Sequence, residues 1–222
     1  MDGPDRENIF SLAKHMDNAH FAPVAEVTAY WEALRSGRQV PLRSEVDPRG
    51  IERALEYAFV IERIAPQIAR FRLAGTHLND LMGMEVRGMP VSALFTPEGR
   101  SDLGPAVAQV FAEPLAAELR LAAETGFGRP AMQARMVLLP LRSDLGDVSR
   151  ALGCIVARGE VGRAPRRFSV SAMRTFRIEA GRPLLRDGAM SAAEAQPAGL
   201  AEAAAPYAPP RQRPNLRLVK SD

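Results

Sequence analysis

Three histidines, one cysteine and scattered carboxylates are the residues with which this sequence could do chemistry. His15 and His20 are five positions apart, which is a poor spacing for two side chains on one helix face, and no cysteine or acidic cluster accompanies them. Cys154 stands in the apolar run 152–156, where a core thiol is expected rather than a nucleophile. These residues therefore predict no metal site and no activated thiol.

The carboxylates of Glu52, Glu56 and Glu62 have no partner residues in a catalytic spacing, and we interpret them as solvated surface groups. The sequence also lacks the GxSxG, P-loop and HExxH motifs and a GxGxxG motif after a strand. We therefore expect a protein that is not an enzyme, with no catalytic residues and no metal ligands.

Arg72, Gly75, Thr76 and His77 lie where a predicted strand meets a predicted short helix. Thr76 and the amides after it could face an anionic ligand. The alternative, which we favour, is that Thr76 is an N-cap and that Gly75 supplies an unusual backbone conformation. His77 could ligate haem iron, but the polar residues at 79–80 indicate a wet position and no CxxCH motif is present, so the cofactor remains unknown.

Two arginine-rich clusters could contact phosphate groups. The first, at 158–167, contains Arg158, Arg163, Arg166 and Arg167; the second, at 211–220, contains Arg211, Arg213, Arg217 and Lys220. The alternative is a solvated hairpin tip and a solubilising tail. Because Phe168 is the only aromatic residue beside the first cluster and the net charge is only +3, we do not expect nucleic acid as a partner.

Helices are predicted first, because apolar residues recur every three or four positions after Pro23. We expect their apolar face to form a homodimer; the alternative is packing on the chain's own sheet, and the two can hold at once. The face comprises Val24, Val27, Tyr30, Trp31 and Leu34. Asp47 and Pro48 predict the start of a second helix.

Five strands and a longer helix follow in the pattern of apolar and polar residues. The predicted strands are 57–64, 68–73, 131–141, 150–157 and 168–178, and the helix is 97–125. This order predicts an α+β fold in which a five-stranded antiparallel sheet carries helices on one face, with room for a cavity between them.

Three regions differ in composition. We expect an N-terminal helical extension at 1–56, a mixed domain at 57–180 and a disordered Ala/Pro-rich tail at 188–222. No apolar run approaches the roughly 20 residues that cross a bilayer, and the acidic start does not resemble a secretory signal. The expected location is therefore the cytoplasm, with no membrane partner.

The stretch RFRLAGTHLNDLMGMEVRGM at 70–89 resembles a PAS-like family of short, stand-alone alphaproteobacterial proteins. The same family carries an upstream segment that this sequence matches at Trp31, Leu34, Arg35, Arg38, Pro41, Arg43, Asp47 and Pro48. The resemblance covers roughly residues 27–180.

The resemblance implies a PAS-like fold and a non-enzymatic sensory or regulatory role through protein–protein contacts, with a protein partner and with or without a small ligand. We expect such a ligand to lie between sheet and helices. Its predicted contacts are Phe71, Leu73, Thr76, Leu78, Leu81, Met89, Phe95, Val137, Leu139 and Ile155. The alternative is a nucleic-acid- or nucleotide-associated regulator that uses the two basic clusters.

Overall fold

The computed structural model of the protein describes residues 19–184. Three α-helices lie wholly within these residues: α1 (Ala22–Arg35), α2 (Thr76–Met82) and α3 (Pro97–Ala112). Three 3-10 helices span Arg43–Glu45, Pro48–Tyr57 and Val91–Leu94. The strands are β1 (Ala58–Ala65), β2 (Ile68–Ala74), β3 (Leu115–Ala123), β4 (Gln133–Arg142), β5 (Val148–Arg158) and β6 (Phe168–Arg177).

The strands form one antiparallel sheet in the order β2-β1-β5-β4-β3-β6. The predicted α+β class is confirmed, and each of the five predicted strands is present. The number of strands is nevertheless six, because the predicted helix 97–125 ends at Ala112 and its second half is β3. Ala, Leu and Glu favour helices intrinsically, but pairing with β4 and β6 determines the conformation of this segment.

Helical segments cover both faces of the sheet, whereas helices were expected on one face of the domain. On one face, which we call the inner face, α2, α3 and the Val91–Leu94 turn enclose an apolar core. On the opposite, outer face, α1 and the Pro48–Tyr57 segment enclose a second core. The N-terminal segment is thus an integral layer of the fold.

The apolar face of α1 packs against its own sheet. Val24, Val27 and Trp31 are buried, and Trp31 Nε1 donates a hydrogen bond to the carbonyl of Pro140 in β4, at 2.8 Å. Tyr30 and Leu34 are partly buried. A homodimer through these five side chains would require this packing to open, so the structure favours the intramolecular alternative.

Several predictions from the sequence concern residues beyond those described. His15, the basic cluster at 211–220 and the predicted tail at 188–222 lie outside residues 19–184. Within that range, none of the helices has the length and apolar character needed to cross a membrane.

Candidate functional site

Six of the ten predicted ligand contacts meet in the inner core. Five of these side chains are fully buried and Met89 is partly buried beside them; the six are Phe71, Leu78, Leu81, Met89, Phe95 and Ile155. The rings of Phe59 and Phe71 meet edge to face with their centroids 5.4 Å apart. An apolar or aromatic molecule would match the chemistry of this core.

The other four predicted contacts point elsewhere, which corrects the expected lining. Val137 and Leu139 belong to the outer core under α1. Both faces of β4 are buried, so its sequence lacks the alternation that would reveal which residues face inward. Thr76 is exposed.

Leu73 is half exposed because the pairing of β1 with β2 is irregular at this point. Phe71 pairs with Ile61, but Leu73 pairs with Val60, so Arg72 is an extra residue in β2. Such a bulge changes the face to which the following residue points. Leu73 therefore lies on the outer face with Val60 and not in the inner core.

Gly75 is required by close packing. It is the N-cap of α2, and its N–H donates to the carbonyl of Ala58, at 2.9 Å. A Cβ atom at this position would lie 2.1 Å from the carbonyl oxygen of Glu56. Because Thr76 is the first helical residue and makes no capping bond, the prediction that Thr76 is the N-cap is wrong.

His77 is partly buried, whereas a solvent-exposed position was expected. Its ring accepts a hydrogen bond from the backbone at the edge of β5. Its Nε2 accepts a hydrogen bond from the Ala157 N–H at 3.1 Å, and its ring meets the Tyr57 ring with centroids 4.9 Å apart. His20 Nε2 lies 3.2 Å from the carbonyl oxygen of Ala157. Pairing with β1 ends at Cys154, so the two histidines complete the edge of β5 beyond it. Burial lowers the pKa of His77, which favours the neutral acceptor form.

Arg166 is completely buried, although the sequence placed it in a solvated basic loop. Its guanidinium donates to the backbone carbonyls of Glu124, Pro130, Glu160 and Val161 at distances from 2.6 to 3.2 Å. This burial lowers the pKa of Arg166. The side chain therefore joins two loops and is not available to a phosphate group.

The motif residues upstream of β1 also have structural roles. Arg35 is buried, donates to the carbonyls of Glu179 and Arg182 and pairs with the Glu32 carboxylate at 3.1 Å. Arg38 donates to both carboxylate oxygens of Glu45, at 2.8 Å each. Asp47 caps the Pro48–Tyr57 segment by accepting from the Arg49 N–H. These contacts fix α1 and the loop after it.

Three arginines converge on Glu62, an arrangement that the sequence analysis missed. We call Glu62, Arg70, Arg72 and Arg150 the Glu62 cluster. Arg70 Nη2 and Arg72 Nη2 contact Glu62 Oε2, the former at 3.0 Å, and Arg150 Nη2 contacts Oε1 at 3.2 Å. Burial alone would raise the pKa of Glu62, but hydrogen bonds from Arg70 and Arg72 lower it overall. Only the strand register, which pairs Glu62 with Arg70 and with Arg150, could have revealed the cluster.

Other chemical candidates are accounted for by their surroundings. Cys154 is buried, and burial raises its pKa to about 12, so a core thiol is confirmed. Residues 19–184 contain no group of three or more His, Cys, Asp or Glu side chains that could hold a metal ion.

A groove of about 300 Å³ lies away from the inner core, lined by Arg63, Ile64, Ala65, Pro66, Ala108 and Ala112.

The chain matches a known domain family from α1 into β5. A family model described as "PAS domain" matches residues 19–156. Among solved structures, one similar chain is titled "Structure of an RNA-binding Light-Oxygen-Voltage Receptor". It is 21% identical, with a TM-score of 0.37, and the match covers 52% of this chain and 35% of that chain. No curated protein matches the sequence.

Proposed function

The chain belongs to the PAS domain family, and from this premise we propose that it is a non-enzymatic sensory or regulatory protein that acts through contacts with other proteins. The observation that supports this most is the use of its buried polar groups. His77, Arg35 and Arg166 bind the chain's own backbone, and the inner core is apolar. Such a core suits a switch in packing better than acid–base chemistry.

The proposal includes a small ligand that binds in the inner core and regulates the protein. Phe71, Leu78, Leu81, Phe95 and Ile155 would form the lining together with Met89, because these side chains meet between the sheet and α2. A ligand that separates α2 from the sheet would shift the population of packed states by its preference for one of them. An apolar or aromatic small molecule fits this lining.

The finer expectations remain parts of the proposal. We propose a cytoplasmic bacterial setting and kinship with short, stand-alone alphaproteobacterial proteins. The regulatory unit predicted at 57–180 also includes α1 in this proposal, because α1 packs on the sheet of that unit. Dimerisation through α1 would have to use its exposed side, since Val24, Val27 and Trp31 are buried intramolecularly.

Two measurements on the full-length protein test the proposal. Absorbance and native mass spectrometry of the protein as purified would detect a chromophore, a bound metabolite and the oligomeric state. In-cell cross-linking followed by quantitative mass spectrometry would detect a protein partner. We expect a partner that recurs in stoichiometric amount. Recovery of neither a partner nor a small molecule would contradict the proposal.

The nucleic-acid alternative is not favoured. Arg166 is buried, which removes one charge from the cluster at 158–167. Loss of salt-sensitive oligonucleotide binding after deletion of 205–222 and replacement of Arg163 and Arg167 would revive it.

A further inference from the structure

The Glu62 cluster carries more positive charge than pairing requires. Three guanidinium groups surround one carboxylate, which leaves a surplus of two positive charges. A single arginine can satisfy both oxygens of a carboxylate, and the additional arginines repel each other. Such a network can stabilise the sheet, but one arginine would be enough to pair the carboxylate of Glu62, so two guanidinium charges of the cluster have no carboxylate of their own within it.

The cluster is accessible on the outer face of the sheet. Glu62 pairs with Arg70 and Arg150 and follows Val60, which faces the outer core, so its side chain shares that face. The arginine side chains Arg70, Arg72 and Arg150 are 39%, 42% and 33% exposed. The described layer formed by α1 thus leaves the guanidiniums open to an incoming anion.

Exposed apolar side chains accompany the charges. Leu73 directly follows the extra residue Arg72. It is 50% exposed and lies on the same face as Val60, its pairing partner. Ile64 and Ile68, at the turn end of the same hairpin, are 53% and 47% exposed, but Ile64 lines the groove with Ala108 and Ala112 of α3, so Leu73 is the apolar group that lies on the face of the arginines. A surface that joins surplus arginines to exposed aliphatic groups matches a partner with carboxylates and apolar side chains.

We propose that the Glu62 cluster and Leu73 form a docking surface for an acidic, amphipathic segment of a partner protein. This inference rests on the proposed regulatory function and names the chemistry of its partner. Carboxylates of the segment bind the arginines, and Glu62 is the internal anion with which they compete. Its apolar side chains cover Leu73.

Fluorescence anisotropy with a synthetic peptide tests this surface. The probe is a short labelled peptide in which Glu and Leu alternate, and the comparison peptide has Gln in place of Glu. We expect R70Q and R72Q each to weaken binding of the Glu peptide by about tenfold, and added salt to weaken it further. E62Q should strengthen binding severalfold, because it removes the competing carboxylate; this gain cannot result from misfolding.

R63Q is the matched control, since Arg63 is the next residue of β1 and its guanidinium lies over Phe111 of α3, on the inner side. Equal weakening by R63Q, equal binding of the Gln peptide, absence of binding, or no gain from E62Q would each overturn the docking surface. Stronger binding of a single-stranded oligonucleotide at the same arginines would assign the surface to nucleic acid instead.

The partner obtained by in-cell cross-linking separates the two proposals. If the R70Q/R72Q double variant retains that partner in full, the docking surface is refuted and the regulatory function stands. If the wild-type protein yields no partner while the peptide results hold, the regulatory function through protein contacts fails.

Discussion

At the scale of single residues, buried charged groups hold loops together in this protein. Arg166 is the clearest case, because one fully buried guanidinium donates to four backbone carbonyls. Removing the donor from a buried carbonyl group lowers the stability of the fold, because water cannot easily reach that carbonyl and take the donor's place. The stability of the loops around 124–130 and 160–166 is therefore expected to depend on this residue.

Arg166→Met keeps most of the side-chain volume and removes the donors. We expect the free energy of unfolding to fall by about 2–4 kcal/mol, as measured by urea denaturation. The matched control is Arg163→Met, because Arg163 is exposed in the same loop; a change within about 0.5 kcal/mol is expected. Similar losses for the two variants would show that the buried bonds do not stabilise the fold.

His77 predicts a dependence of stability on pH. Its pKa is lowered from its ordinary value of 6.5, chiefly by burial and also by His20, against the opposing effect of Asp80 and Glu56. The unfolded chain then binds the proton more readily than the folded one, so the contribution of neutral His77 is present above the unfolded pKa and is lost as pH falls below it. NMR titration should give an apparent pKa for His77 below 6.5.

His77→Gln separates this effect from other titrations, because an amide oxygen can accept the Ala157 N–H at every pH. Urea denaturation between about pH 7.5 and about pH 5 should show a smaller loss of stability for this variant than for the wild type. Equal losses would assign the pH dependence to other groups.

At the scale of elements, α1 is a layer of the fold held by apolar packing, by the bond from Trp31 to Pro140 and by the bonds of buried Arg35 to the carbonyls of Glu179 and Arg182. Trp31→Phe removes the N–H donor to Pro140 and leaves a small cavity. We expect a loss of about 1–3 kcal/mol in urea denaturation and faster hydrogen exchange in α1. Ala29→Ser, on the exposed side of the same helix, is the control. An effect no larger than that of the control would contradict this role of α1.

The elements also show how far sequence reasoning extends. The five predicted strands were found because each has apolar periodicity and turn residues at its ends. β3 was missed because LAAELRLAA has high helix propensity, and only pairing with β4 and β6 makes it a strand.

Prediction of the ligand contacts also depended on strand pairing, which a single sequence does not show. Six inner-core residues could be predicted from their apolar type and their place in the order of elements. Val137, Leu139 and Leu73 could not be assigned to a face, because β4 is buried on both sides and β2 contains a bulge. The Glu62 cluster depends on the register between three strands, which single-sequence patterns do not contain.

At the scale of the whole molecule, the described chain is a sheet between two layers, with an apolar core on the inner face and α1 on the outer face. The surface at Glu62 and Leu73 lies on the outer face. The strands of the sheet contribute side chains to both cores and to this surface. In our proposal, a ligand binds in the inner core and a protein partner binds at the exposed part of the outer face.

Site-specific photo-cross-linking in the native cells tests this account most directly. A photoreactive amino acid would replace Leu73 in one variant and Met173 in another, since both side chains are exposed and lie on strands at opposite edges of the sheet. We predict that the variant at position 73 cross-links to one recurring partner protein and that the variant at position 173 does not. Absence of a cross-linked protein at position 73, or the same products at both positions, would contradict the account.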